Sequence, residues 1–209
     1  MHLVLAGDSI LDNAAYTRGG PDVISQVQAL LPEGCRATLI ALDGSTTYTV
    51  LRQADKMPSD ATHIVLSVGG NDALWKAQIL QMPAVSVSQV LREMAAIAEE
   101  FEQNYREAVA AFCQLELPLT LCMIYNGCFP DAVYQRAISA ALLHFNDVIL
   151  RVGCELGMDI IDLRPICRLP GDYANPIEPS SEGGAKIARA ILNAVMSSDG
   201  GRIARVITS

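Results

Sequence analysis

Residues 2–10 read HLVLAGDSI. The run HLVLAG is almost continuously apolar, where a half-buried strand would alternate apolar and polar residues. A continuous short run ending at glycine and polar turn residues predicts a strand covered on both faces. Further runs of the same kind are ATLIAL (37–42), HIVLSVG (63–69), LTLCMIY (119–125) and MDIIDL (158–163). Helix-like segments fall between them, at about 20–32, 46–56, 86–113 and 131–156, with a last one near 181–197. The segment over 86–113 is the clearest: Ser86 and Gln89 have capping-box spacing, and its Glu, Gln and Arg positions mark a wet face. Alternating β and α predicts an α/β fold with a five-stranded parallel sheet between helix layers. Right-handed crossovers leave few doubly wound topologies, and five strands suit a flavodoxin-like three-layer α/β/α sandwich of order 2-1-3-4-5.

The 209 residues suit one domain, read as 1–197 with a C-terminal tail at 198–209. That tail follows as a loose end or a packed final strand. Hydrophobic residues make up 51% and charged residues 18%, a globular balance. The net charge of −8 argues against general affinity for nucleic acid or anionic membranes. The six cysteines form no C-x-x-C pair, which argues against structural zinc; no metal and no cofactor are expected. The opening MHLVLAGDS lacks a basic n-region, and no segment reads as a membrane span. The expectation is a cytoplasmic protein with reduced thiols.

In such sheets, function gathers at the carboxyl ends of the strands. GDSILDN follows the first, LDGSTTY the second and VGGNDALW the third. Ser9 offers a hydroxyl and its own N–H at a strand-to-helix turn. Gly44 permits close backbone approach, and Asn71 offers an amide donor. Singly, each reads equally well as turn or cap chemistry. Together they form a nucleophile with donors for developing negative charge, the equipment of acyl transfer. There is no G-x-S-x-G elbow, and no G-x-G-x-x-G or P-loop lysine for a nucleotide.

GDSI, DGSTT and GGND, in that order, resemble the first three blocks of the SGNH (GDSL-type) hydrolases, and the resemblance covers most of the chain. It implies a flavodoxin-like fold and metal-free hydrolysis of esters or related acyl bonds in a small-molecule substrate. It places the nucleophile at Ser9 and the oxyanion donors at the backbone N–H groups of Ser9 and Gly44 and the side chain of Asn71. The fourth block departs. Where the family carries D-x-x-H-P, this sequence reads NPIEP, so Asn175 stands at the aspartate position and Glu178 at the histidine position.

The chain has three histidines. His2 opens the first strand, about 20 Å from Ser9 at 3.3 Å per residue. His63 opens the third, and His144 sits inside a helix-like run. None is placed as a base, which leaves carboxylates. Burial or a neighbouring carboxylate would raise the pKa of Glu178, and Asp172 or Asp162 are the candidates to couple to it. The structural alternative is a helix-entry charge at Glu178, a role that Glu182 suits more plainly. Tyr16, Tyr48, Trp75, Tyr125 and Phe129 follow strand ends and are candidates to line a substrate pocket. Two functions stand: a serine esterase using Ser9 and Glu178, and a catalytically impaired protein that binds an acyl or anionic ligand.

Overall fold

The computed structural model describes residues 1–196. The expected tail at 198–209 lies outside them. Five strands form one parallel sheet: β1 (His2–Gly7), β2 (Arg36–Leu39), β3 (His63–Ser67), β4 (Leu119–Met123) and β5 (Asp159–Asp162). Their order is β2-β1-β3-β4-β5, as expected. Six helices connect and cover them: α1 (Val23–Leu30), α2 (Thr47–Ala54), α3 (Gly70–Lys76), α4 (Val87–Cys113), α5 (Ala132–Glu155) and α6 (Ser181–Met196).

The continuously apolar strands follow from two cores, one on each face. Leu3, Leu5, Val65, Cys122 and Ile161 point to one face and meet Val23 and Val27 of α1 and Ile187 and Ile191 of α6. The alternate residues Ala6, Ile64, Leu66, Leu121 and Met123 point to the other, against Val50 of α2, Phe101 and Tyr105 of α4, and Phe145 and Ile149 of α5. Period-two side-chain alternation thus feeds both layers with apolar groups.

The helix starts are locally encoded. Asp22, Ser86 and Asp131 accept the N–H groups of Ser25, Gln89 and Tyr134, each three residues on. Thr46 and Thr49 form a reciprocal box at α2. At α4 only half of the expected box forms: the Gln89 side chain accepts from Val85 N–H rather than from Ser86. The second strand is shorter than the run ATLIAL. Ile40 and Ala41 both donate to the carbonyl of Leu5, which ends regular pairing.

Two further points differ from expectation. The segment after β3 is a helix, α3, entered through Gly69 at φ 121°, where the sequence reads as a turn. And α5 is long and apolar enough, by length and mean hydropathy, to cross a membrane. In the fold its apolar side, including Phe145, Val148, Ile149 and Val152, is buried in the core. Among the described residues the cysteines are free thiols, and no His, Cys, Asp and Glu cluster is placed to hold a metal.

Candidate active site

The site lies beyond the carboxyl ends of β1, β3 and β4. Gly7 closes β1 at φ 132°, and a Cβ there would stand 1.8 Å from the Ser67 carbonyl oxygen, so only glycine fits. Gln53 of α2 clamps this residue: Gly7 N–H donates to Gln53 Oε1 at 2.7 Å, and Gln53 Nε2 donates to the Gly7 carbonyl at 2.8 Å. The next N–H, that of Asp8, donates to Ser67 at 3.0 Å, and the chain turns sharply into Ser9.

Asp8 is 1% exposed, and its carboxylate accepts the Ile10 N–H at 3.2 Å. Burial pushes its pKa from an ordinary aspartate's 3.8 up to about 8; the Ile10 hydrogen bond opposes this, and the charges of Glu178 and Asp72 add to it. Asp8 therefore holds the turn through the Ile10 N–H, with a carboxyl that burial biases toward the neutral form.

Asn71, in the first turn of α3, is tied to the loop that carries Gly44. Gly44 adopts φ 79°, a left-handed conformation, with nothing within 4 Å of where a Cβ would lie. Asn71 Nδ2 donates to the Ser45 carbonyl at 2.9 Å, which uses one of its two amide hydrogens. Beside it, Asp72 accepts from Thr47 Oγ1 at 2.5 Å and from Thr47 N–H at 3.1 Å. The start of α2 is thereby tied to the start of α3. The N–H groups of Ser9 and Gly44 make no hydrogen bond within the described residues.

Glu178 is 7% exposed, so it is not a surface carboxylate. Its Oε2 is buried without a hydrogen-bond partner. Burial raises its pKa; the nearby Ser9 hydroxyl pulls the other way, and the charge of Asp43 adds to the rise. The Ser9 hydroxyl is near enough to act on the Glu178 carboxyl, although Oε2 itself has no hydrogen-bond partner.

The loop carrying Glu178 is held at many points. Asn175 Oδ1 accepts the N–H groups of Ile177 and Glu178, both at 2.9 Å, an Asx turn that sets the backbone of Glu178. The Tyr125 hydroxyl donates to the Ile177 carbonyl at 2.7 Å, and Asn13 Nδ2 donates to the Pro179 carbonyl at 3.2 Å. Ala174 N–H donates to the Glu178 carbonyl at 2.9 Å. Asn175 thus supports Glu178 through the main chain and not through its carboxylate.

Neither aspartate expected to couple with Glu178 does so. Asp172 accepts from Lys186 Nζ at 2.5 Å and from the N–H groups of Arg168 and Leu169 at 2.9 Å, which together hold its carboxyl below the usual range against its burial. Asp162 pairs with Arg164 at 2.7 Å. The three histidines are also engaged elsewhere: His2 contacts Asp60 at 3.0 Å and Thr38 at 2.8 Å, His63 contacts Thr62 at 2.9 Å, and His144 contacts the Ala141 carbonyl at 3.2 Å.

A pocket opens beside Ser9, with about 790 Å³ of empty space counting its mouth. Asp8, Ser9, Asn71 and Glu178 line it, with apolar groups from α3, α4 and α5. Of the five candidate aromatics, Tyr125 and Phe129 line it. Tyr48 and Trp75 are 73% and 70% exposed, and Tyr16 donates to Asp43 at 2.6 Å. Sequence reading missed Gln53, Asn13 and most of the apolar wall. Their partners lie far off in the chain, and each residue is unremarkable in its local pattern.

The GDSL-like Lipase/Acylhydrolase family profile matches residues 5–185. No curated protein matches the chain. Among solved structures, an extracellular lipase from Streptomyces rimosus superposes with a TM-score of 0.69 at 17% identity, covering 93% of this chain and 99% of its own. The acetyl xylan esterase AlAXEase gives 0.68 at 19% identity, over 93% of this chain and 100% of its own. Phospholipase A1 from Streptomyces albidoflavus NA297 gives 0.69 at 13% identity, over 92% and 98%. These likenesses establish a shared fold. With the profile spanning all four sequence blocks, the chain belongs to the GDSL-like lipase/acylhydrolase family.

Proposed function

We propose that the protein hydrolyses carboxylic esters with Ser9 as nucleophile and Glu178 as its base. The observation that carries this reading is the buried Glu178 carboxylate beside Ser9, with Oε2 left without a donor. An orphaned buried acceptor is costly, and the proton released by an attacking serine would satisfy it. Burial also lifts the Glu178 pKa toward working pH, which makes it a better base than an exposed glutamate. Burial pushes the Asp8 pKa up to about 8, which favours its protonated form at pH 7 and lessens its charge beside Glu178.

As Ser9 Oγ bonds to the acyl carbon, its proton passes to Glu178 and the carbonyl electron pair moves onto oxygen. The N–H groups of Ser9 and Gly44 and the second amide hydrogen of Asn71 receive that oxyanion. The intermediate then collapses, and the leaving alkoxide takes the proton from Glu178. Water repeats both steps on the acyl-serine, which frees the acid and restores Ser9. The structural relatives are named as a lipase, an acetyl xylan esterase and a phospholipase A1, so the reaction class carries over and the substrate does not.

A second reading, a binder without turnover, draws on one observation. Among the described residues no carboxylate is hydrogen-bonded to Glu178: Asn175 stands where the family carries aspartate, and Asp172 is held by Lys186. A serine-directed fluorophosphonate separates the two. Stoichiometric labelling at Ser9, lost in Ser9→Ala and strongly slowed in Glu178→Gln, is expected of the enzyme. No labelling, together with ligand binding, would establish the binder.

A further inference from the structure

The pocket beside Ser9 is built differently on its two sides. Its polar members lie on strand-end loops and, with Asn71 and Lys76, at the two ends of α3, while the rest of α3 with α4 and α5 supplies apolar groups. Ile138, Ala141, Leu142 and Phe145 of α5 all line it, at i, i+3, i+4 and i+7, so one continuous helix face forms a wall. Met94 and Ile97 of α4 and Leu74 of α3 form others. Small residues, Ala73 and Ala77, lie on the α3 side four positions apart, where larger side chains would take up the space. From Ile138 to Phe145 the α5 wall runs about 10 Å at 1.5 Å per residue, roughly the length of an extended eight-carbon chain.

An acetyl group would leave most of this apolar wall facing water. We infer that the pocket is an acyl-chain site for unbranched chains of intermediate length, with the α5 face as its ruler, so that medium-chain esters are the substrates. This rests on the ester-hydrolase reading for where the reacting carbonyl sits, although the pocket itself can be tested without turnover. Each buried methylene is expected to tighten binding about three- to fourfold until the wall is used up.

The test uses 2-alkanones from acetone to 2-dodecanone as neutral probes, with binding to the full chain and to Ser9→Ala measured by calorimetry. Dissociation constants should fall about threefold per carbon and level off near 2-decanone. Ala141→Phe and Ala77→Phe, from opposite walls, should each cut the affinity ratio of 2-decanone to 2-butanone by about tenfold or more; melting temperatures identify any variant that fails to fold, and the other then decides. Affinity independent of chain length, or a ratio untouched by a folded variant, would overturn the acyl site. p-Nitrophenyl esters from acetate to dodecanoate supply the second arm. Length-dependent ketone binding without ester hydrolysis sinks the proposed activity and leaves the pocket standing. Hydrolysis that is fastest on acetate, with flat ketone binding, does the reverse.

Discussion

The turn at 7–9 and the loop at 172–180 meet at one site, but they are held there by different means. The first turns on one glycine that no other residue can replace, clamped through both main-chain atoms by Gln53. Its geometry is concentrated in a few strong constraints. The second has ordinary residues, and its shape comes from many modest hydrogen bonds, several to groups remote in sequence such as Asn13 and Tyr125. A site of this kind should fail abruptly on the side of the proposed nucleophile and by degrees on that of the proposed base.

The largest effects are expected at the proposed reacting groups. Ser9→Ala should lower kcat/KM for an activated ester by at least about 10³-fold, and Glu178→Gln by about 10²- to 10⁴-fold. The pH profile carries the finer information. Activity should rise as Glu178 loses its proton, at a pH above that of an ordinary glutamate, because burial raises its pKa. In Glu178→Gln that limb should vanish. If it survives, the titrating group is another residue.

Next comes Asp8, where the sign is opposite to that of a salt-bridged carboxylate. Its folded pKa of about 8 lies above the ordinary 3.8, so the native state holds a proton that the unfolded state has lost between these values. Stability should therefore fall as pH rises from about 4 to 8, by an amount on the order of a few kcal/mol. Asp8→Asn removes the titration while its side-chain oxygen can still accept the Ile10 N–H. Denaturation at several pH values should show a variant that gains on the parent at pH 8 and not at pH 4. An equal shift at both would mean that Asp8 is not buried as a neutral acid.

Gln53→Ala tests the concentrated side directly. It orphans the buried Gly7 N–H and removes one of two hydrogen bonds to the Gly7 carbonyl, which keeps that from Leu42 N–H, at a cost of about 1–3 kcal/mol. The melting temperature should fall, and fluorophosphonate labelling of Ser9 should slow. Unchanged labelling in a folded variant would mean that glycine alone fixes the turn.

The same contrast explains what the sequence made legible. Strands buried on both faces need continuous apolar runs, so all five strands and their order could be read from HLVLAG and its counterparts. The blocks at Ser9, Gly44 and Asn71 are short and local, and each could be read from residues adjoining a strand. Helix α3 was missed because Gly69 and Gly70 signal a turn and the helix has only seven residues, Gly70 among them. Apart from Tyr125 and Phe129, most of the pocket's apolar wall was illegible, because the lining joins residues from 8 to 178 through the fold. For Glu178, position was readable from the spacing of NPIEP, but burial was not. Burial depends on where Ile177 and Pro179 are tied, and those partners lie 52 and 166 residues away.

The smallest expected effect probes the distributed side. Tyr125→Phe deletes the hydroxyl that donates to Ile177 but keeps the ring, which packs edge-on against Tyr173 at 5.3 Å. One hydrogen bond of this kind is worth about 1 kcal/mol. If the loop depends on its remote ties, loosening this one lets water nearer to Glu178 and weakens the burial that raises its pKa. The acidic limb of the pH profile should then move down toward the ordinary glutamate range, and kcat should drop a few-fold. Ser9 would keep its clamp from Gln53, so labelling of the serine at high pH, where Glu178 is fully ionised, should be little changed. A fall in rate with no movement of the limb would trace the defect to the pocket wall that Tyr125 also lines. An unaltered rate and limb would mean that the Asn175 turn holds Glu178 alone, and the base side would then be as locally fixed as the turn at Gly7.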